Sequence, residues 1–258
     1  MALALQRGSI VGFRLPLTLA AVVTGCGATP LDAVTVDPGS LAMGLVAHWT
    51  FDEGTGAVAG DHSGSGHDGQ LTGGTWTDAG RFGGALSLSS GDYVTISNFP
   101  QATPNWTVSV WTRASQSQLA TDTNDFGTIL STEIAFTGGW QLQLYDLPGY
   151  QRFNAAYWSG SAATGTYVVD YCQCIVENQW IHLTAVFDND AEQLTLYQND
   201  TVVDHTKLAS PIQNGDSTLY MGRWNMGGRF LAADLDDFAI WSRALTAGEI
   251  AALSEQPP

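Results

Sequence analysis

Large apolar side chains alternate with small or polar ones at Leu45, Ala47, Trp49 and Phe51, the period-two pattern of a strand with one buried face. The same rhythm, interrupted every few residues by Gly, Asp, Asn or Pro, predicts strands near 44–51, 68–72, 84–89, 92–97, 106–113, 126–132, 139–146, 151–158, 165–171, 179–187, 193–198, 201–207, 217–222 and 229–241. Turn residues at Asp188 to Ala191 and at Asn199-Asp200 separate three of these runs into a meander. A helix is predicted only at the end of the chain. There Thr246 followed by Glu249 has capping-box spacing, and Ile250 and Leu253 supply an apolar edge. Many short strands, one terminal helix and no strand-helix-strand alternation predict an all-β, two-sheet antiparallel sandwich. Trp49, Trp106, Trp180 and Phe187 are the expected aromatic core.

Composition agrees with a turn-rich β protein: 258 residues include 29 Gly, 9 Trp, 8 Tyr and 10 Phe, with only 13% charged residues. The 25 acidic residues against 9 basic ones give a formal charge of -16, which disfavours a nucleic-acid phosphate backbone as partner. Calcium and neutral glycans fit that charge better, and much of the acidity serves solubility alone.

The first 25 residues read as an export signal: Arg7 and Arg14, a short apolar run from Leu15 to Val23, then Val23-Thr24-Gly25-Cys26. That tetrapeptide resembles a bacterial lipobox. The resemblance implies cleavage before Cys26, thioether lipidation of its sulfur and acylation of the new amino terminus. Several acyl chains would anchor the protein firmly, where one would be marginal. Gly27 is not the acidic residue associated with inner-membrane retention, so the expected location is the outer membrane or cell surface. Without residues 1–25 two Arg are lost, and 7 basic against 25 acidic residues leave a charge of -18. Residues 26–43, with Pro30 and Pro38 and no sustained periodicity, read as a tether, and 44–258 as the folded domain. Cys172 and Cys174 stand two apart, on one face of an extended strand, at the upper limit of disulfide reach. A bulged backbone would allow a small-loop disulfide, preferred for an exported protein over a metal site and over a free dithiol.

Three stretches carry a family resemblance: WTFDEGTG with DHSGSGHDGQL, GRFGGALSL from Gly80 to Leu88, and LDDFAIWSRALTAGEIAAL from Leu235 to Leu253. In that order they resemble laminin-G-like, concanavalin A-like jelly-roll domains of secreted bacterial proteins, over roughly residues 44–254. The resemblance narrows the sandwich to a jelly roll and implies a structural calcium where the first and last strands meet. Asp52, Asp61, Asp68 and Asp236, with carbonyls between Ser63 and Asp68, are the candidate ligands, since calcium takes six to eight oxygens in flexible geometry. Asp236 is preferred in the Asp234-Leu235-Asp236-Asp237 run because strict alternation would place it on one face with Phe238 and Ile240. The competing reading makes these ordinary turn aspartates that cap backbone N–H groups. Asp61-x-Ser63-x-Ser65-Gly66 imitates an EF-hand loop, but its twelfth position is Thr72 and no helices flank it.

Residues 140–158, WQLQLYDLPGYQRFNAAYW, combine aromatic rings with amides and charges, the chemistry that stacks on sugar faces and bonds hydroxyls. Tyr145, Tyr150, Asn154 and Trp158 are the candidate carbohydrate contacts, with Trp224, Asn225 and Arg229 in a Gly-flanked loop that closes over them. Catalysis has little support. The E-x-D-x-x-E strand of laminarinase-type hydrolases is missing, Glu133, Glu177, Glu192, Glu249 and Glu255 are scattered, and no G-x-S-x-G or H-E-x-x-H occurs. His48, His182 and His205 are expected to be structural. The sequence therefore points to a lipid-anchored, non-enzymatic carbohydrate-recognition module at the cell surface. A protein-binding adhesive domain is the alternative, and a divergent polysaccharide hydrolase or lyase a third reading.

Overall fold

The computed structural model describes residues 39–101, 104–114, 126–134, 138–147, 150–158, 165–169, 176, 178–208 and 215–258. Within the strands, the side chains of residues 126, 145–147, 150–152, 158 and 165–169 lie outside that description. Cys26, Cys172 and Cys174 also lie outside it, as does the signal segment.

Two eight-stranded antiparallel sheets face each other. The first contains β1 (Leu45–Trp49), β4 (Thr75–Thr77), β5 (Ala85–Leu88), β7 (Trp106–Arg113), β12 (Ile181–Asp188), β13 (Gln193–Gln198), β14 (Thr201–Lys207) and β16 (Ala233–Trp241). Its order is β14-β13-β12-β7-β16-β5-β4, with β1 sharing the β16 edge with β5. The second contains β2 (Val58–Ala59), β3 (Gly69–Thr72), β6 (Tyr93–Ile96), β8 (Phe126–Ser131), β9 (Trp140–Leu147), β10 (Tyr150–Trp158), β11 (Gly165–Val169) and β15 (Leu219–Met221). Its order is β11-β10-β9-β8-β15-β6-β3-β2. This is the jelly-roll sandwich expected, and the predicted strands recur within a few residues. The short β2 and β4 were not predicted, being too brief to carry a period.

Alternation along each strand builds the core. Trp106, Val108 and Val110 of β7, Leu183, Ala185 and Phe187 of β12, and Leu142 and Leu144 of β9 all point between the sheets and are buried. Edge-on ring contacts link Phe99 to Trp106, Trp106 to Trp140 and Trp140 to Phe187, at centroid separations of 6.2, 5.7 and 6.1 Å. Each such pair adds about 0.5–1.5 kcal/mol beyond area burial. Trp180 departs from expectation: it is only half-buried, with the Arg113 guanidinium 4.7 Å over its ring.

A second apolar cluster lies on the outer side of the first sheet, where α1 (Ala247–Glu255) covers Val186, Tyr197, Ala239 and Trp241 with Leu245, Ile250 and Leu253. The capping box forms as the sequence predicts, with Thr246 and Glu249 satisfying each other's backbone N–H. Leu41 belongs to this cluster and is buried. Trp241 Nε1 donates to its carbonyl at 2.7 Å, so Ser40–Met43, read above as the end of the tether, pack as part of the domain.

The alternation breaks in β16. Leu235 and Phe238 are three residues apart, yet both point into the core. The pairing of β16 with β7 shifts register between Asp236 and Ala239, and Asp237 takes a positive φ of 43°. A β-bulge at Asp237 therefore reverses the inside-outside parity. Asp236 does not share a face with Phe238 and Ile240, as strict alternation predicted; it points away from the core.

Candidate functional site

The predicted calcium ligands sort into two groups. Asp61 Oδ1 accepts from the backbone N–H of His48 (3.0 Å) and Ser63 (2.9 Å), and its Oδ2 accepts from Ser63 Oγ (2.9 Å) and His67 N–H (2.9 Å). Burial alone would raise this carboxyl, but the hydrogen bonds outweigh it and hold Asp61 below its ordinary range. Asp68 Oδ1 in turn accepts from Asp61 N–H at 2.8 Å. These two carboxylates knit the glycine-rich loop together, the capping role weighed against metal binding in the sequence.

Asp52 and Asp236 grip a different turn. Asp236 Oδ2 accepts from Arg81 N–H (2.6 Å) and Phe82 N–H (2.9 Å), and Asp52 Oδ1 accepts from Gly84 N–H (2.6 Å). The glycines of GRFGG are required there: a Cβ on Gly84 would sit 2.8 Å from the Phe51 carbonyl, and one on Gly83, where φ is +85°, 2.4 Å from Asp52 Oδ1. Asp236 is fully buried, and its Oδ1 has no hydrogen-bond partner. Burial pushes its carboxyl up to about 7, with the charge of Asp237 adding to the shift, against hydrogen bonds from the backbone of Phe82, Arg81 and Asp237. Asp52 lines an open cleft of about 670 Å³ with Trp76, Asp78, Gly83 and Gly84. Among the described residues no three His, Cys, Asp or Glu side chains are grouped to hold a metal. The histidines lie nearby in other roles: His48 Nε2 is 3.0 Å from Asp237 Oδ1, and His182 Nε2 is 2.6 Å from Ser109 Oγ under the stacked ring of Trp111. Desolvation lowers His182 to about 4. His205 is exposed, unlike the structural histidine expected.

The outer face of the second sheet has a different chemistry. Across β10, β9, β8, β15 and β6, register pairs Ala156 with Gln141, Gln141 with Ser131, Ser131 with Tyr220, and Tyr220 with Thr95, so their side chains form one row. A parallel row holds Asn154, Gln143 and Thr128, with Gln143 Nε2 donating to Thr128 Oγ1 at 3.3 Å. Gln141, Gln143 and Asn154 are buried although they point away from the core, and Gln141 Oε1 and Asn154 Oδ1 have no partner. Buried amide oxygens left without donors are costly, about 1–3 kcal/mol each.

Beside these rows stands an aromatic group. Tyr93 and Tyr220, both half-buried, approach with ring centroids 6.2 Å apart, and Phe230 joins Tyr93 at 6.4 Å. Arg223 lies over both tyrosines, 4.7 and 4.5 Å from their centroids, and Arg229 lies 4.1 Å over Trp224. The loop carrying these residues runs from Gly222 to Phe230 and is tightly folded. Trp224 N–H donates to Gly228 O (3.1 Å), Gly227 N–H returns to Trp224 O (2.9 Å), and Gly227, Gly228 and Arg229 all have positive φ. It is fastened to β8 at several points: Thr128 N–H to Arg229 O (2.9 Å), Trp224 Nε1 to Glu133 Oε2 (2.5 Å) and Asn225 Nδ2 to Glu133 O (2.6 Å).

Of the carbohydrate contacts predicted from sequence, the structure puts Asn154 and Trp224 at this same face, Asn154 in its floor and Trp224 in the loop beside it. The side chains of Tyr145, Tyr150 and Trp158 lie outside the described residues. Tyr93, Tyr220, Phe230 and Arg223 were not foreseen, because residues 93 and 220 become neighbours only through β6–β15 pairing.

Residues 88–251 match the family model described as the concanavalin A-like lectin/glucanases superfamily, of laminin G type. No curated protein matches in sequence. Among solved structures, the botulinum neurotoxin serotype D ligand-binding domain in complex with N-acetylneuraminic acid aligns with a TM-score of 0.64 at 19% identity, over 84% of this chain and 52% of that one. The binding domain of Paraclostridial Mosquitocidal Protein 1 aligns at 0.65 and 19% identity, over 83% and 52%. Domain 4 of AbnA, a GH43 extracellular arabinanase from Geobacillus stearothermophilus, in complex with arabinotriose, aligns at 0.60 and 21% identity, over 81% of this chain and 98% of that domain. The chain spans about half the length of the two toxin domains it matches. At these identities the likeness is one of fold. The first and third are complexes with sugars, and the second is a binding domain.

Proposed function

Since the chain belongs to the concanavalin A-like lectin/glucanases superfamily, we propose that it is a non-enzymatic recognition module that binds carbohydrate on the outer face of its second sheet. One observation carries the reading: the Tyr93–Tyr220–Phe230 aromatic group and the Trp224 loop adjoin rows of amide side chains in which Gln141 Oε1 and Asn154 Oδ1 lack donors. Rings offer apolar faces to a sugar's C–H groups, and amides take its hydroxyls. The loop is held in place by hydrogen bonds, so little ordering entropy is lost on binding. The arabinotriose and N-acetylneuraminic acid complexes of the structural neighbours support the class of ligand.

Two further elements complete the proposal. A calcium ion at the Arg81–Gly84 turn would satisfy Asp236 Oδ1, with Asp52, main-chain carbonyls and water filling its shell. Asp61 and Asp68 are left out of this ligand set, because both oxygens of Asp61 and Oδ1 of Asp68 are engaged within the glycine-rich loop. The lipobox-like Val23-Thr24-Gly25-Cys26 would export the protein and anchor it through Cys26 to the outer membrane, with the domain presented to extracellular polysaccharide. Cys26→Ser should then move the protein from the membrane to the soluble fraction; continued membrane fractionation of that variant would refute the anchor.

The test of binding is a screen of the purified protein against polysaccharides, with calcium and again with chelator. Retention on at least one defined glycan is expected. A folded protein silent on every glycan would refute the reading and favour a protein-binding adhesive domain.

A further inference from the structure

Basic side chains are scarce in this protein: after residue 25 there are seven, against 25 acids. Among the described residues, Arg113 pairs with Asp234, Lys207 with Glu192 and Arg243 with Glu249. Arg223 and Arg229 stand in one loop of the outer face, Arg229 over the Trp224 ring. Arg223 meets no carboxylate at ion-pair distance among the described residues. Its Nε and Nη2 donate instead to the carbonyls of Trp224 and Asn225, each at 3.2 Å, its side chain also hydrogen-bonds Tyr93, and its Cζ lies 4.7 and 4.5 Å from the Tyr93 and Tyr220 ring centroids. In the same loop Glu133 Oε2 accepts from Trp224 Nε1, and Asp216 Oδ2 from Asn225 Nδ2 at 3.4 Å. A positive group placed so deliberately in a strongly acidic protein calls for a negative ligand group.

We propose that this face selects glycans bearing an anion on the sugar ring, a uronate, sialate or sulfate ester, and that Arg223 reads the anion with Arg229 beside it. The inference rests on the carbohydrate-binding reading above. A guanidinium keeps its N–H bonds in one plane, and a carboxylate or sulfate accepts two of them side by side. The two carbonyl bonds fix that plane before the ligand arrives, so the fork is already oriented. The sugar ring then lies against the exposed parts of Tyr93, Tyr220 and Phe230, with its hydroxyls toward the amide rows. The formal charge of -16 repels polyanions at long range, which ionic strength screens beyond about 8 Å. Selection therefore occurs at contact, and an anion presented singly on a ring suits it better than a dense polyelectrolyte.

The test uses the purified protein at physiological ionic strength and a panel of immobilised glycans. The anionic members are polygalacturonate, alginate, sialyllactose and chondroitin sulfate; the neutral ones are carboxyl-reduced polygalacturonate, arabinan, galactan and laminarin. Retention of at least one anionic glycan is expected, with loss of about tenfold or more in affinity for its neutral counterpart and for Arg223→Ala. Arg223→Lys, which keeps the charge but not the fork, should fall between. The carboxylated and sulfated members tell which anion is read. Binding confined to neutral glycans would overturn this inference and leave the carbohydrate reading standing. Binding to none would overturn both. Anionic binding unchanged in Arg223→Ala and Arg223→Lys, with melting curves like the parent's, would move the anion away from this loop.

Discussion

Trp224 donates its indole N–H to Glu133 Oε2 at 2.5 Å, joining the Gly222–Phe230 loop to the end of β8 through a carboxylate that is fully buried. Leaving a buried acceptor without its donor costs about 1–3 kcal/mol. Trp224→Phe keeps a ring for Arg229 to cover but removes the donor. It should lower stability by about 1–3 kcal/mol, read from the denaturant midpoint, and loosen the loop toward hydrogen exchange. An unchanged midpoint and unchanged exchange would show that this bond does not fasten the loop.

Arg243 makes two parallel bonds to Glu249, 2.7 and 3.0 Å, and also donates to the carbonyls of Met43 and Ser40, each at 2.7 Å. It therefore ties the first packed turn of the domain to the last helix. The Arg243 hydrogen bonds hold the Glu249 carboxyl down to about 2, with Thr246 assisting against some desolvation. Arg243→Ala should destabilise by about 1–3 kcal/mol and expose the chain around Leu41 to limited proteolysis. Glu249→Gln, which still fits a capping box, should cost less. Equal losses from the two would contradict the bridging role of Arg243.

His182 and Asp236 oppose one another in pH dependence. His182, lowered to about 4 by desolvation, contributes stability that is full above pH 6.5 and is lost as pH falls toward 4. Asp236, raised to about 7 chiefly by burial, contributes stability that is full below pH 3.8 and is lost as pH rises toward 7. Each effect is on the order of 3 kcal/mol, so in chelator the two largely cancel between pH 4 and 6.5. Asp236→Asn should leave a protein that weakens on acidification through that window, and His182→Gln one that weakens as pH rises. Urea midpoints across pH 4 to 7 read both slopes; matching slopes in the two variants would contradict the assignment.

Chelation should lower the melting temperature of the parent, since an ion bound only by the folded state stabilises it by mass action. In Asp236→Asn the same chelation should have no effect. A parent curve indifferent to chelator would remove calcium from the account.

Much of the architecture was legible in the chain because its signals are local. Alternation at Leu45 to Phe51 and from Trp106 to Arg113 sets the buried face of each strand, and the Thr246–Glu249 spacing starts the helix. Where a local rule is broken the reading failed: the bulge at Asp237 adds one residue and reverses the face of Asp236, which no period-two pattern can show. The site was legible only in part. Trp224 announces itself in a glycine-flanked loop, but Tyr93 and Tyr220 meet through strand pairing 127 positions apart, and neither carries a local mark. Trp180 misled for a related reason. An aromatic beside an apolar strand reads as core, whereas Arg113 and the strand end leave it half-covered.

The central claim is that the outer face of the second sheet holds sugar. Its most direct test compares the parent protein with Tyr220→Ala on the panel glycan retained most strongly, by calorimetric titration. The account predicts a saturable one-site isotherm for the parent and a loss of about tenfold or more for Tyr220→Ala, with the melting curve still cooperative. Equal affinity in the two proteins would contradict it.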